Sequence, residues 1–249
     1  MALSARRAHA LKDPSSIEAG GAYGEHDAHV TCGPGVRVRN ASAGVRYEHI
    51  VQSAHHSPGV GIVLDARGGV GSTTLTTVYP DKEGGSPSPL QNDVGHSVAM
   101  ASGQMAIGWD ARIFAIRAGG GFYGVTDTHD NRISPHYYFL PAVEMRFGER
   151  TGVSADLGLG APPIVPITRF YSLYGTVQYR AEGGAEMGLG ALATIGELDA
   201  RQGVLIKLGY PIARGLSVGA FGMLEQTSEH RGNLGYTTGI GVRWELDGH

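Results

Sequence analysis

The last stretch of the chain, Leu234–Leu246, reads L-G-Y-T-T-G-I-G-V-R-W-E-L and alternates between two kinds of residue. The first kind is mostly large and apolar, and its members are Leu234, Tyr236, Thr238, Ile240, Val242, Trp244 and Leu246. The second kind is glycine, hydroxyl or charged, and its members are Gly235, Thr237, Gly239, Gly241, Arg243 and Glu245. Because successive side chains on a β-strand point to opposite faces, this segment predicts a strand with one apolar and one polar face.

The same alternation recurs along most of the chain and predicts about twelve strands. The candidate strands are 28–39, 42–53, 58–78, 94–109, 112–125, 137–148, 152–160, 170–181, 185–195, 202–212, 215–226 and 234–246. Most are long enough to cross a bilayer at a tilt, which takes roughly 9–11 residues. We therefore predict an all-β fold, a transmembrane antiparallel up-and-down β-barrel of about 12 strands, with ten as the alternative. Residues 28–249 are expected to form the barrel, and residues 1–27 a flexible N-terminal tail.

Composition narrows the class of protein. A chain of 249 residues fits one barrel domain, and 40 glycines would break most helices. The net charge of −3 argues against nucleic acid as a partner, and the single Cys32 has no cysteine to pair with. Met1–Asp13 lacks the apolar core of a secretory signal, so we expect a mature form or a start that lies upstream.

The connections between the candidate strands alternate in length. Short ones fall at His55–Gly59, Trp109–Arg112, Glu149–Gly152, Glu182–Gly184 and Pro211–Gly215, and longer ones separate them. Bacterial membrane barrels have short periplasmic turns and longer outer loops, so the short connections are expected at the periplasmic end.

Aromatic residues also sort into two predicted rings. An inner ring comprises Trp109, Phe147, Tyr179, Tyr210 and Trp244. An outer ring comprises Tyr79, Tyr123, Tyr137, Tyr171 and Tyr236. Two aromatic girdles at the headgroup level are typical of a membrane barrel.

The opposite face of the strands carries charges of both signs among glycine, alanine, serine and threonine. These predicted lumen-facing residues are Arg46, Glu48, Asp65, Arg67, Arg117, Glu144, Arg146, Asp156, Glu186, Lys207, Arg243 and Glu245. Two interpretations stay open: an ion-pair network that fills the lumen, or a water-filled channel in which the charges set selectivity.

On these features the chain resembles the bacterial outer-membrane β-barrel proteins across the predicted barrel. Thr237, Gly239, Val242 and Trp244 match the spacing of the terminal-strand signal that the barrel-assembly machinery recognises in that group, although five residues follow Trp244 here. The resemblance implies location in the bacterial outer membrane, contact with outer-membrane lipid, and the assembly machinery as a partner during biogenesis.

Sites for chemistry are weak in this sequence, and we predict neither a catalytic site, nor a metal, nor a cofactor. His96 and Ser97 are neighbours on a strand and so point to opposite faces. His129 lies among carboxylates in the Asp127–Asp130 segment, which is also typical of a solvated turn. His55 and His56 lack further ligands at useful spacing. Gly68–Thr73 lacks the lysine and helix of a phosphate loop.

The sequence thus predicts a non-enzymatic outer-membrane barrel that acts as a narrow pore or as a structural or surface-contact component. Two alternatives remain. One is a membrane-embedded hydrolase of lipid or peptide that uses His129 and Asp130. The other is a soluble β-barrel that binds an apolar ligand, with Ile240, Val242 and Trp244 pointing inward.

Overall fold

A computed structural model shows that the protein is a twelve-stranded β-barrel. The structure describes residues 15–29, 35–52, 61–78, 96–111, 113–127, 134–149, 151–160, 172–195, 200–227 and 234–246. The strands are β1 (Ser15–His29), β2 (Gly35–Gln52), β3 (Gly61–Val78), β4 (His96–Asp110), β5 (Phe114–Asp127), β6 (Ser134–Gly148), β7 (Gly152–Gly160), β8 (Ser172–Arg180), β9 (Glu186–Ile195), β10 (Ala200–Ala213), β11 (Leu216–Thr227) and β12 (Leu234–Leu246). No helix in these ranges is long and apolar enough to span a membrane.

Each strand pairs antiparallel with its neighbours in sequence, and β1 pairs with β12 to close the barrel. The predicted fold, an antiparallel up-and-down barrel of twelve strands, is therefore confirmed. The first residue of β1, Ser15, lies opposite the last residue of β12, Leu246, so the first strand begins and the last strand ends at the same end of the barrel. We call this the terminal end and the opposite one the loop end.

The predicted N-terminal boundary is wrong. Residues 15–27 belong to β1, so the barrel begins at Ser15 rather than at residue 28. The candidate strands 28–39 and 42–53 are also wrong, because one strand, β2, runs through Gly35–Gln52. The two errors cancel, which leaves the strand count at twelve. Residues 1–14 lie outside the described part of the chain.

The small residues of β1 explain why its sequence does not predict a strand. Its centre reads Ala19-Gly20-Gly21-Ala22. Successive residues there face opposite sides of the sheet, but they hardly differ in hydrophobicity. Backbone pairing with both β12 and β2 holds this segment as a strand. The strand therefore owes its conformation to its partners rather than to its own side chains.

The two faces of the barrel differ as the alternation predicts. On β12, Ile240 is 73% exposed and Trp244 is 56% exposed on the outer face, whereas Thr237 is buried on the inner face. The same apolar outer band continues around the barrel on the other strands. The alternative of a soluble barrel with Ile240, Val242 and Trp244 inward is wrong, because all three side chains point outward.

The glycine-rich segments lie within strands. Residues 68–73 belong to β3, so they form no phosphate loop. Six inward-facing glycines are also in register across six adjacent strands, from β10 through the closure to β3, and they are Gly209, Gly219, Gly241, Gly20, Gly44 and Gly69. This glycine row leaves one oblique track of the inner wall without side chains.

Candidate functional site: the lumen

The terminal half of the lumen is filled with charged side chains. A row in register crosses four strands here and comprises Arg243, Glu18, Arg46 and Arg67. It lies directly beside the glycine row on the terminal side, so these long side chains have room to extend inward. The next row toward the terminal end includes Glu48 and Asp65, which places acids against the arginines.

Asp65 is the centre of the first cluster. Its carboxylate accepts hydrogen bonds from Arg46 Nε at 2.9 Å, Arg67 Nε at 2.7 Å and Arg117 Nη1 at 3.1 Å. The Asp65 side chain has no exposed surface. Three guanidinium groups therefore compensate one fully buried carboxylate, which is the arrangement that makes a buried charge tolerable.

Two further acids neutralise the same arginines and extend the cluster around the lumen. Glu48 on β2 pairs with Arg117 on β5 at 2.9 Å. Glu144 on β6 accepts from Arg67 at 2.8 Å, from Arg117 at 3.0 Å and from the Tyr174 hydroxyl on β8 at 2.7 Å. The contacts link β2 to β8 through side chains alone. We call Arg46, Glu48, Asp65, Arg67, Arg117 and Glu144 the Asp65 cluster; its formal charges sum to zero.

A second, smaller cluster lies on the wall formed by β8–β10, and the wall that carries the Asp65 cluster is called the first wall below. Glu186 on β9 accepts from Arg180 on β8 at 2.8 Å and pairs with Lys207 on β10 at 2.6 Å. At the terminal end of the first wall, Arg146 pairs with Asp110 at 2.9 Å. Glu186 and Asp110 thus each have a basic partner within hydrogen-bond distance, as buried acids require.

A polar cavity of about 80 Å³ lies between the two walls. Members of both clusters line it, together with Glu18, Asp156, Gln178 and Arg243. The volume exceeds what one water molecule needs, roughly 10–15 Å³ on the same measure. Its lining offers carboxylates and guanidinium groups at once, so the cavity can take a small polar solute or several waters.

Three charged residues that line this cavity make fewer hydrogen bonds and ion pairs than the other charged residues of the lining. In the described ranges, Glu18 makes no hydrogen bond and no ion pair. Asp156 accepts from Gln178 at 2.7 Å but has no ion pair with any described residue. Arg243 Nη2 lies 3.6 Å from Glu245, and its buried Nε has no hydrogen-bond partner in the described part.

Every predicted lumen charge belongs to this half of the barrel, but Glu245 differs from the others. Its side chain is 57% exposed at the mouth of the terminal end, where it is near Arg180 and Arg243. Five further inward-facing residues were not predicted from the sequence, and they are Glu18, Asp110, Arg180, Tyr174 and Glu225. Continuing the alternation by two residues, from Gln178 to Arg180 or from Gly108 to Asp110, would have found two of them.

The wall formed by β8–β11 carries a different structure toward the loop end. Five buried apolar side chains pack together there, and they are Tyr174, Leu192, Leu205, Phe221 and Met223. Ala22 of β1 packs against them. We call this group the apolar cluster; it occupies part of the lumen where alternation alone predicts polar residues. Above it Glu225 is almost completely buried and accepts a hydrogen bond from Thr237.

Glycines make the space for two of these aromatic rings. The Phe221 ring lies on Gly239 of the adjacent strand, and the Tyr174 ring lies on Gly158. A Cβ at either glycine would overlap the ring. The same arrangement occurs on the outer surface, where the Phe122 ring lies over Gly103. A ring over a glycine fills the gap that the missing side chain leaves in the sheet.

The aromatic residues of the predicted inner ring are exposed on the outer face toward the terminal end; these are Trp109, Phe147, Tyr179, Tyr210 and Trp244. Tyr236 of the predicted outer ring is exposed toward the loop end. Tyr123 and Tyr137 lie in β5 and β6, but their side chains are not described. Tyr79 and Tyr171 lie outside the described residues.

The four residues of the predicted assembly signal have distinct positions on β12. Thr237 is buried and donates to Glu225, and Gly239 underlies Phe221. Val242 and Trp244 are exposed on the outer face near the terminal end. The pattern thus presents two apolar side chains outward while its polar and glycine positions pack inward.

The residues that we considered for catalysis or metal binding form no site among the residues that the structure describes. His55, His56, His129 and Asp130 lie outside the described residues, and the side chains of His96 and Ser97 are not described either. Within the ranges that the structure describes, no group of three His, Cys, Asp or Glu residues is placed to hold a metal ion.

Comparison with known proteins identifies the fold. The chain is similar to the translocator domain of the autotransporter NalP from Neisseria meningitidis, with a TM-score of 0.55 and 12% identity over 96% of this chain and 90% of that one. It is also similar to the transport unit of the autotransporter AIDA-I from Escherichia coli, with a TM-score of 0.48 and 8% identity over 99% and 93%. No family model and no curated protein matches the sequence. The similarity to the NalP translocator domain shows that the chain has the fold of bacterial outer-membrane β-barrels.

Proposed function

We propose that this protein is a narrow channel for small polar solutes in the bacterial outer membrane, with its terminal end at the periplasm. The observation that carries the proposal is the polar cavity of about 80 Å³, which both charged walls line inside a barrel with an apolar outer face. The proposed role is non-enzymatic. Rings of charged side chains and apolar constrictions are the usual means by which pores select and gate.

The apolar cluster is the proposed gate. Its five side chains are all buried, and they occupy the β8–β11 side of the lumen beyond the cavity. A solute that reaches the cavity from the terminal end must pass Phe221 and its neighbours to leave at the loop end. Conductance is thus expected to be small and to rise when this cluster is made smaller.

A matched pair of phenylalanines tests the channel. Phe221 and Phe122 both lie over a glycine of an adjacent strand, but Phe221 faces the lumen and Phe122 faces outward. We expect small conductance steps from the purified protein in planar bilayers, larger steps for Phe221→Ala, and unchanged steps for Phe122→Ala. Folding of each variant is checked by its shifted gel mobility without boiling. Folded protein that gives no conductance in any of the three forms would rule the channel out.

A structural role is the second candidate, and the Asp65 cluster favours it. Its contacts join β2, β3, β5, β6 and β8 across the lumen, which stiffens the wall whether or not solute passes. A barrel that folds and remains silent in bilayers, yet becomes fragile to urea when this cluster is disrupted, would favour this role over the channel.

Biogenesis is the third part of the proposal. We infer that outer-membrane lipid surrounds the aromatic girdles and that the barrel-assembly machinery recognises Thr237, Gly239, Val242 and Trp244. The exposure of Val242 and Trp244 on the outer face supports recognition of β12 by its apolar side. Replacing Trp244 by alanine in cells is expected to lower the amount of folded barrel, while the same change at Phe122 is expected to leave it intact.

A further inference from the structure

The least engaged charges of the cavity lie next to each other on the two strands that close the barrel. Glu18 on β1 is directly opposite Arg243 on β12 in the register. Both side chains line the polar cavity. Directly opposed residues on paired antiparallel strands have their Cβ atoms about 4.5–5.5 Å apart, which is the scale of a small molecule with two charged ends.

Neither group is saturated by the protein. Glu18 also lies opposite Arg46 on β2, but it makes no hydrogen bond or ion pair to any residue that the structure describes. Among the described residues, the one ion pair of Arg243 is with Glu245 at 3.6 Å, and that carboxylate is mostly exposed at the mouth of the barrel. By contrast, Glu186 and Asp65 are each held by two or more basic groups. The cavity thus presents one acidic and one basic group that remain able to bind a solute.

The glycine row determines what can approach this pair. Gly20 and Gly241 are opposite each other, and they come two residues after Glu18 and two before Arg243 on the loop side. No side chain at these positions shields the pair from the lumen. A small cavity that borders the glycines, of about 30 Å³, is lined by Glu18, Arg243 and Lys207 among others.

We propose that Glu18 and Arg243 form the selectivity site of the channel and that the solute class is small zwitterions, molecules with an ammonium and a carboxylate. The inference rests on the proposed channel function. The ammonium group donates to Glu18, and the carboxylate accepts from the Arg243 guanidinium, both as charge-assisted hydrogen bonds. A singly charged solute satisfies only one of the two groups, and an uncharged solute satisfies neither ionically.

Two isomers of one formula provide the test. Glycine is a zwitterion, and glycolamide has the same atoms but no formal charge, so size does not distinguish them. Proteoliposomes that contain the purified protein are swollen in each solute. We expect glycine to enter about threefold to tenfold faster than glycolamide, because glycolamide can still form neutral hydrogen bonds to Glu18 and Arg243 and loses only the charge assistance of both contacts.

Variants then assign the preference to the pair. Glu18→Gln and Arg243→Gln are each expected to lower the ratio of the glycine rate to the glycolamide rate to about one. The shifted gel mobility of each variant without boiling shows that its barrel is folded. The matched controls are Glu182→Gln and Arg214→Gln, which make the same changes at exposed positions in turns at the terminal end. Both controls are expected to keep the preference.

The outcomes separate the two proposals. If neither solute enters faster than into protein-free liposomes, the channel itself is overturned, and the selectivity site with it. If both enter at equal rates, or glycolamide enters faster, the channel stands and the zwitterion site is overturned. A preference for glycine that survives both Glu18→Gln and Arg243→Gln would place selectivity elsewhere in the lumen and also overturns the assignment.

Discussion

The two halves of the lumen are filled by opposite kinds of interaction. Toward the terminal end, the Asp65 cluster fills space with buried ions whose hydrogen bonds fix each side chain. Toward the loop end, the apolar cluster fills space by packing, and its members need only the right volume. Deleting a side chain therefore leaves unpaired charge in the half toward the terminal end and an empty space in the half toward the loop end. We expect the two halves to respond differently to the same kind of mutation.

The largest expected effect is in the charged half. Asp65→Ala leaves Arg46, Arg67 and Arg117 close together without their shared carboxylate. We expect the free energy of unfolding to fall by about 3–5 kcal/mol, because breaking a buried ion pair strands charge in a low-dielectric site. Urea titration of the protein in lipid vesicles measures this. Glu182→Ala, in an exposed turn, is the control, and an equal effect of the two changes would contradict the argument.

A somewhat smaller effect is expected in the apolar half. Leu205→Ala removes a buried member of the apolar cluster and should lower the free energy of unfolding by about 2–4 kcal/mol through lost contacts and a residual cavity. Leu208→Ala on the same strand faces outward, so it loses side-chain contact with lipid but leaves no cavity in the lumen, and it serves as the control for the cavity contribution. The comparison breaks down if the outward-facing change is as destabilising as the inward-facing one under the same urea titration.

The fit between Phe221 and Gly239 predicts an effect of about 1–3 kcal/mol. Gly239→Ala places a Cβ where the ring lies, so the ring must move and the cluster repacks with strain. In the Phe221→Ala background the same glycine change should cost less, because the ring is gone and only the Gly21 carbonyl oxygen, 2.6 Å from the added Cβ, still has to give way. Unfolding of the two single variants and the double variant gives the coupling energy. Additive effects would mean that the glycine is needed for another reason.

The smallest effect is expected at the mouth. Glu245→Gln removes a carboxylate that is mostly exposed and lies 3.6 Å from Arg243. Exposed ion pairs contribute little, so we expect a change below about 1 kcal/mol in the free energy of unfolding. A loss as large as that of Asp65→Ala would show that the charged network extends to the rim and that burial does not set its strength.

Alternation along each strand made the architecture and much of the lumen predictable. It assigned Arg46, Asp65 and Arg117 to the inner face, because each follows the two-residue period of a long, clearly patterned strand. It failed at β1, where Ala19-Gly20-Gly21-Ala22 gives no contrast between the faces. Glu18 was lost with that strand, although it is central to the selectivity site proposed above.

The pairing within the lumen was not accessible from the sequence. Arg67 and Glu144 are 77 residues apart and meet only because the curved sheet brings β3 and β6 together across the lumen. The apolar cluster was missed for another reason. In the run Val204-Leu205-Ile206 both faces of β10 are apolar, so the period of two that marks a lipid-facing strand disappears.

The closure between β1 and β12 has a kinetic consequence. It joins residues more than 200 positions apart, such as Ile17 and Trp244, whereas other neighbouring strands are joined by a local connection. Pairings between distant segments form slowly, because the chain must lose much of its freedom before the contact contributes. Hairpins can therefore form early, but the sheet keeps two open edges until this last seam closes. The length of that interval sets how long the nascent sheet can pair with another chain and aggregate.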